Sequence, residues 1–221
     1  LRGDWRDLER RIAAAPEDSG PLVEAVSLLK QLGRYDEALA VGAKASRLRP
    51  KDAYLHFLRA ELLAGLGETE SAQAALKSAV VCSPSSSMRE QAAQLCLQMA
   101  AFESALEWAL GNAAEPEADA RAHRLAARLL LYWGRAAEAR KAAEAALKLE
   151  DEAEGKILAG AAWALAGQAA KGIPYLKAAA AASPKDAEAA AWHAEALRLA
   201  GKHKQALAEC DRAKGLSSRP V

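Results

Sequence analysis

The chain repeats one pattern every 33 or 34 residues, and the clearest copy spans residues 19–52. In this copy, apolar residues recur at helical spacing up to Gly33, and a second helical pattern then runs as far as Pro50. Glycine and proline are the residues that most strongly interrupt a helical pattern. The repeat therefore predicts two helices joined by a tight turn, copied along the chain.

Six copies result when the turn glycines and the closing prolines are aligned. Their predicted bounds are 19–52, 53–85, 86–119, 120–152, 153–186 and 187–220. The third copy is the most divergent, because Ala100 and Ala101 stand where the other copies have glycine and its neighbour. We expect it to be the least stable copy, since the stability of stacked repeats is roughly a sum of local terms. Residues 1–18 predict one helix, either half of a preceding repeat or a terminal cap.

Small residues recur at three fixed sites in each copy, which predicts close approach of helices at those sites. On the first helices they are Val26, Ala60, Ala93, Ala127, Gly160 and Ala194. On the second helices they are Ala38, Ala72, Ala105, Ala139, Gly172 and Ala206, then Ala45, Ala79, Asn112, Ala146, Ala179 and Ala213. Pro174 fits this pattern if its helix starts near Gly172, because a proline in the first helical turn costs no hydrogen bond.

Composition and charge exclude several classes of function. Alanine, leucine, glutamate, lysine and arginine dominate, and these residues favour helix over sheet. Lysine and arginine total 30 against 29 acidic residues, so no global field draws the chain to nucleic acid or to an anionic membrane. No run of eighteen apolar residues occurs, which argues against a membrane-spanning helix. Cys82, Cys96 and Cys210 form no CxxC pair, and we interpret them as small buried hydrophobic residues.

The order glycine, aromatic residue, alanine, alanine and closing proline resembles the tetratricopeptide repeat, here in Gly33, Tyr35, Ala38, Ala45 and Pro50. The tryptophan that this family favours early in each first helix is absent from all six copies. The resemblance implies an all-α fold, a right-handed superhelical solenoid of antiparallel helix pairs. It also implies that the first helices line a concave groove that binds peptides or protein segments.

Two groups of residues are the candidate binding sites in that groove. The fourth copy carries Arg121, Arg124 and Arg128 at spacings of three and four, which places three guanidinium groups on one helix face, followed by Tyr132. An acidic or C-terminal peptide segment would neutralise such a row. The alternative is a solvated face that acidic residues of the chain itself neutralise.

The second copy presents the other group. Tyr54 and Phe57 offer a hydrophobic anchor beside Glu61, although aromatic residues in a helical stripe often belong to the core. His56 and His123 occupy the tryptophan position of the family, so we expect them to pack within their own repeats.

No catalytic, metal or cofactor site is predicted. The four histidines have no metal-ligand spacing on one helix, and none lies beside a serine or cysteine in a nucleophile motif. The glycines are mostly isolated, so no phosphate-binding loop is present. The sequence thus favours a protein without enzymatic activity and without a cofactor.

The leading hypothesis is a noncatalytic scaffold that binds a partner peptide or protein segment, acidic if the arginine row receives it. Two alternatives remain open: the repeat region of a longer enzyme or secretion component, and an array that self-associates through its open ends. The chain begins at Leu1 and not with methionine, so the compartment is not fixed. The cytoplasm is favoured, and the periplasm applies if a signal peptide was removed.

Overall fold

The computed structural model describes residues 2–16 and 18–217, with side chains from Arg6 onwards and up to Leu216. This part of the chain forms thirteen α-helices and contains no strand. The helices are α1 Arg2–Ala14, α2 Ser19–Gln31, α3 Tyr35–Leu48, α4 Ala53–Gly65, α5 Thr69–Cys82, α6 Ser86–Gln98, α7 Phe102–Ala113, α8 Ala120–Tyr132, α9 Ala136–Leu149, α10 Ala153–Leu165, α11 Ala169–Ala182, α12 Ala187–Leu199 and α13 His203–Ser217. The predicted end of the last repeat, residue 220, lies outside the described residues.

The chain divides into two compact units, Leu1–Ala105 and Leu106–Val221, and the boundary falls inside α7. In the first unit, α2 packs on α3 and α4 packs on α5, followed by α6. In the second unit the pairs are α8 with α9, α10 with α11 and α12 with α13. Each pair is joined by a short turn, which makes its two helices antiparallel neighbours.

Residues in the left-handed region of backbone space form these turns. The glycines with positive φ are Gly33 (71°), Gly67 (79°), Gly134 (71°), Gly167 (77°) and Gly201 (75°). The turn between α6 and α7 has Ala100 instead, with φ 56°, and among the described residues it is the sole non-glycine with positive φ. The N–H of Ala101 donates to the carbonyl of Cys96 at 2.8 Å, just as Arg34 donates to Leu29 at 2.9 Å. Ala100 therefore keeps the turn of the other repeats at the cost of a left-handed alanine.

The first helices also share a capping pattern. A side-chain oxygen one residue before the helix accepts a backbone N–H, which satisfies a donor that the helix itself leaves unpaired. The capping residues are Asp18, Asp52, Ser85, Asp119 and Asp186. Helix α10 differs, because Glu152 precedes it and makes no side-chain capping bond.

The small residues predicted at the three fixed sites lie in the core. Of the eighteen, seventeen are buried, and Ala213 is half-buried. In the first unit, Val26 and Ala38 pack together with Leu29, Leu58 and Leu62. Their burial agrees with the close approach predicted from residue size, and contact of the two helices is direct at Gly160 and Gly172.

One core cluster of the second unit lies between α10, α11 and α12. Leu176, Ala179, Ala189 and Ala196 form its centre and are fully buried, and Trp192 packs against them. Alanine occupies most of these positions, so the helices meet over short side chains, and a few leucines fill the space that remains.

Two expectations are wrong. Helix α11 starts at Ala169 and not near Gly172, so Pro174 lies inside the helix, beyond its first turn. Since proline has no N–H, the helix lacks one backbone hydrogen bond at that residue. The three cysteines are not all buried: Cys96 is, Cys82 is half-buried, and Cys210 on α13 is exposed.

Candidate functional site

The predicted groove residues of the second repeat lie on α4. Tyr54 is 52% exposed, whereas Phe57 and Glu61 are partly buried. Glu61 accepts a hydrogen bond from the ammonium group of Lys30 on α2, so its charge is already compensated within the first unit. The exposure of Tyr54 means that this aromatic side chain is not part of the core.

A cavity of about 130 Å³ opens between α4 and α6, beside Phe57 and Glu61. Its remaining lining comes from α6, namely Gln91, Gln94, Leu95 and Gln98. Three carboxamide side chains thus surround a small space with an aromatic and an aliphatic wall. Each carboxamide has N–H donors and a carbonyl acceptor, so it can hydrogen-bond both the C=O and the N–H groups of a peptide backbone.

The arginine row of the fourth repeat is held by acidic residues of the same chain. The side chain of Arg124 is 9% exposed, and its Nη1 lies 2.9 Å from Glu150 Oε2 and 3.2 Å from Glu152 Oε2. Its Nε lies 3.3 Å from Glu154 Oε2. The other oxygen of Glu154 accepts a hydrogen bond of 2.7 Å from Arg128. Arg124 and Arg128 therefore share one carboxylate.

Burial and charge act in opposite directions on Arg124. Burial disfavours the charged guanidinium, but the hydrogen bond to Glu150 and the charges of Glu152 and Glu154 outweigh it and raise the pKa of Arg124. Arg124 is consequently a fixed cation that organises the segment from Glu150 to Glu154. Because Glu152 does not cap α10, its carboxylate is available for this contact.

The other members of the fourth-repeat group are exposed. Arg121 and Arg128 lie on the surface of α8, and Tyr132 is 70% exposed at the end of the same helix. The structure thus separates the predicted row into one buried arginine and two surface arginines. Sequence reasoning missed the acidic residues from Glu150 to Glu154, although the absence of a closing proline there was a visible signal.

The histidines at the family's tryptophan position are partly buried, and each interacts with a residue just before its own helix, in the preceding copy. His56 is partly buried, and its Nε2 lies 3.0 Å from the carbonyl oxygen of Pro50. His123 is partly buried as well, and burial lowers its pKa, with Asp119 opposing the shift. Across residues 2–16 and 18–217, no group of three His, Cys, Asp or Glu side chains is arranged to hold a metal ion. Within those same residues no helix has the length and the apolarity that crossing a bilayer requires.

Paired helices, left-handed turns at the repeat period and buried small residues define an all-α repeat protein of the solenoid class. Residues 23–87 match the sequence model of the tetratricopeptide repeat family, and the predicted resemblance to this family is confirmed. The predicted fold class is confirmed with it. A search of curated protein sequences found no match.

Solved structures with the same fold extend the likeness over most of the chain. The C-terminal part of a tetratricopeptide repeat-containing protein from Cytophaga hutchinsonii matches with a TM-score of 0.64 and 13% identity, over 87% of this chain and 78% of that one. PilF of Pseudomonas aeruginosa matches with a TM-score of 0.60 and 15% identity, over 92% and 93%. A chain of the APC/C heterotetramer Cut9–Hcn1 matches with a TM-score of 0.57 and 16% identity, over 99% and 44%. The chain thus spans less than half the length of this last neighbour, and identities this low establish the fold alone.

Proposed function

We propose that the chain is a noncatalytic scaffold that binds a segment of a partner protein against the first helices of its repeats. Tetratricopeptide repeats generally mediate protein–protein interactions and are generally noncatalytic. The observation that carries the proposal for this chain is the cavity between α4 and α6, lined by Phe57, Glu61 and the side chains of α6. Because all of its lining residues belong to the first unit, the site is complete within that unit.

The size and lining of this cavity suit one side chain of an extended segment. A volume of about 130 Å³ corresponds to roughly four water molecules, or to one medium-sized apolar side chain. Phe57 and Leu95 provide apolar contact, and burial of an aliphatic group against them contributes about 1.5–3 kcal/mol. The glutamine side chains at the rim supply donors and acceptors for the backbone on either side of the inserted residue. Tyr54, which is exposed on the same helix, extends the contact area.

The fourth repeat forms a second contact surface in this proposal. Its accessible members are Arg121, Arg128 and Tyr132, while Arg124 serves to hold the acidic segment next to it. An acidic partner gains from Arg128 only by replacing Glu154, so the net benefit of that exchange is small. We therefore place the main anchoring contact at α4 and α6 and treat the partner's acidity as a secondary property.

The test uses site-specific photo-crosslinking, because the partner is unknown. The photoreactive amino acid p-benzoylphenylalanine replaces Phe57 in one variant and Tyr132 in a second. In a control variant it replaces Val81, which is 81% exposed at the end of α5. Each variant is exposed to light in lysate of the source organism, and the crosslinked proteins are identified by mass spectrometry.

We expect the Phe57 variant to crosslink a protein that the Val81 variant does not. The same protein should be lost from affinity capture with Gln94→Ala and retained with Tyr132→Ser. Loss with Tyr132→Ser alone would move the main site to the fourth repeat. Identical crosslinking patterns for the Phe57 and Val81 variants would contradict the proposal.

A further inference from the structure

A second and larger cavity lies between α3 and α4, and it shares no lining residue with the cavity between α4 and α6. Its volume is about 360 Å³, which falls in the range of about 300–1,000 Å³ typical of small-molecule sites. Its lining includes Leu39, Gly42 and Ser46 from α3 and Leu55, Leu58 and Arg59 from α4.

The cavity lies beside small residues of α3, at two positions where α5 carries larger ones. At the position of Gly42, one repeat period further on, α5 has Leu76, and the same site in α11 is Leu176. At the position of Ser46, α5 has Val80 and α9 has Leu147. Leu76 and Leu176 are fully buried, so in α5 and α11 a leucine side chain fills this position, whereas α7, α9 and α13 have the smaller residues Ala109, Ala143 and Cys210.

Nothing in the backbone forces residue 42 to be glycine. A Cβ built on Gly42 would have Val26 Cγ2 at 3.6 Å, which is ordinary van der Waals contact. The opposite holds for Gly172, whose Cβ would overlap the backbone of α10. The cavity is therefore a property of this one helix pair and not a requirement of the fold.

The lining is apolar except for two polar side chains. They are Ser46, which carries a hydroxyl group, and Arg59, which carries a guanidinium group. Arg59 is exposed and forms no ion pair with any residue of the described chain. An aliphatic space with one uncompensated cation beside it fits an aliphatic anion.

The charge around the cavity is locally basic although the whole chain is nearly neutral. Both acidic residues between 39 and 63 are engaged: Asp52 with Arg49 at 2.8 Å, and Glu61 with Lys30. The basic residues of this stretch outnumber them; they are Lys44, Arg47, Arg49, Lys51 and Arg59. Of these basic residues, Arg59 is the one that lines the cavity.

We propose that the cavity between α3 and α4 binds a medium-chain fatty acid. Its alkyl chain lies against Leu39, Leu55 and Leu58, and its carboxylate accepts hydrogen bonds from Arg59. Because no lining residue is shared with the cavity between α4 and α6, this site is independent of the proposed protein contact. Each methylene that enters an apolar site contributes a roughly constant free energy, so affinity rises with chain length.

The experiment is an NMR titration of the full chain, labelled with nitrogen-15, with hexanoate, octanoate and decanoate below their micelle concentrations. We expect saturable shifts confined to α3 and α4, and an affinity that rises about fourfold per methylene. Decanol should bind about five- to tenfold more weakly than decanoate, because it lacks the charge that Arg59 recognises.

Variants locate the ligand within the cavity. Gly42→Leu and Ser46→Val fill the space with the residues found in α5, and each should weaken decanoate binding at least about tenfold. If Gly42→Leu does not fold, the effect of Ser46→Val on decanoate binding tests whether the ligand occupies the cavity. Arg59→Gln should remove the preference for decanoate over decanol, whereas Arg47→Gln, on an exposed residue outside the cavity, should keep it.

Four results would overturn the proposal. They are the absence of saturable shifts up to the solubility limit, equal affinity for decanol and decanoate, unchanged binding in both filled variants, and an Arg47→Gln effect equal to that of Arg59→Gln. The crosslinking test of the protein contact does not depend on this outcome, since Phe57 lies outside the cavity. A partner protein that is captured by the parent chain and lost with Ser46→Val would show that the occupant is a protein segment.

Discussion

Gly172 of α11 packs against the backbone carbonyl of Gly160 in α10, so closely that a Cβ on Gly172 would overlap that carbonyl oxygen. A Cβ on Gly160 would in turn overlap Leu176, which is fully buried. The corresponding residues of the neighbouring repeats are alanines, Ala127 with Ala139 and Ala194 with Ala206. Helices α10 and α11 therefore approach each other so closely that only glycine, which has no Cβ, fits at these two positions.

The first prediction concerns this contact. Gly172→Ala should lower the free energy of unfolding by about 1–3 kcal/mol, because the added methyl group forces two backbones apart. Gly111→Ala is the matched control, since Gly111 lies inside α7, is exposed, and has open space where a Cβ would lie. The control should gain up to about 1 kcal/mol from helix propensity. Chemical unfolding followed by circular dichroism measures both variants, and equal effects of the two substitutions would contradict the contact.

The second prediction concerns the turn at Ala100. Ala100→Gly should raise the free energy of unfolding by about 1 kcal/mol, because glycine adopts a φ of 56° without the steric cost that alanine pays. The reverse change, Gly67→Ala at φ 79°, should lower it by a similar amount. Amide hydrogen exchange reports where the gain appears, and we expect slower exchange in α6 and α7. A less stable Ala100→Gly variant would show that this turn is not strained.

The third prediction concerns the buried arginine. Arg124→Met should destabilise the chain by about 1–2 kcal/mol, because it removes the largely buried cation that contacts Glu150, Glu152 and Glu154 together. Arg128→Met should change stability by no more than about 0.5 kcal/mol, since Arg128 is 57% exposed and solvent screens its ion pair. The stabilities of the two variants are compared by thermal unfolding at equal ionic strength. Two variants of equal stability would refute a special role for Arg124.

The fourth prediction concerns pH. His193 of α12 is buried, and burial lowers its pKa. Glu209, whose carboxylate lies 3.6 Å from His193 Nδ1, opposes the shift, while Arg212 and Lys177 reinforce it. The unfolded chain binds a proton near pH 6.5 and the folded chain only at lower pH, so stability must fall as the pH drops below about 6.5.

The measurement is the free energy of unfolding between about pH 5 and pH 7. His193→Gln should flatten this dependence, since glutamine does not titrate. His123, whose pKa burial lowers too, should contribute in the same direction, so the double variant with His123→Gln should be flatter still. The same slope in the parent chain and the double variant would contradict this explanation.

Much of the fold could be predicted from the sequence because its determinants are local and periodic. Glycine at the turns and alanine at the close contacts can be recognised from the sequence alone. Ala100 could be recognised too, because it stands at the turn position that is glycine in the other repeats. The caps at Asp18 and Asp52 were equally visible and were overlooked. Pro174 was misplaced because proline was treated as a sign of a helix start, although a helix packed on its neighbours tolerates one missing hydrogen bond.

The candidate sites depend on contacts that spacing does not encode. Arg124 and Glu150 are 26 residues apart, so the rules for neighbours on one helix face say nothing about their pairing. The cavity beside Gly42 depends on the absence of a side chain at that residue. A pattern of apolar positions does not show how much space each residue fills. Both features depend on how the helices pack against each other in three dimensions.

The ion pairs between Arg124 and the segment from Glu150 to Glu154 have a mechanical consequence. The connections that follow α1, α3, α5, α7 and α11 each contain a proline, at Pro16, Pro50, Pro84, Pro116 and Pro184. A pyrrolidine ring stiffens its connection in any solvent, because the restriction on φ is covalent. The connection after α9 has no proline and owes its rigidity to Coulomb attraction, which dissolved salt weakens. Under tension we expect the joint after α9 to soften as the ionic strength rises, whereas each proline-containing joint keeps the stiffness that its pyrrolidine ring supplies.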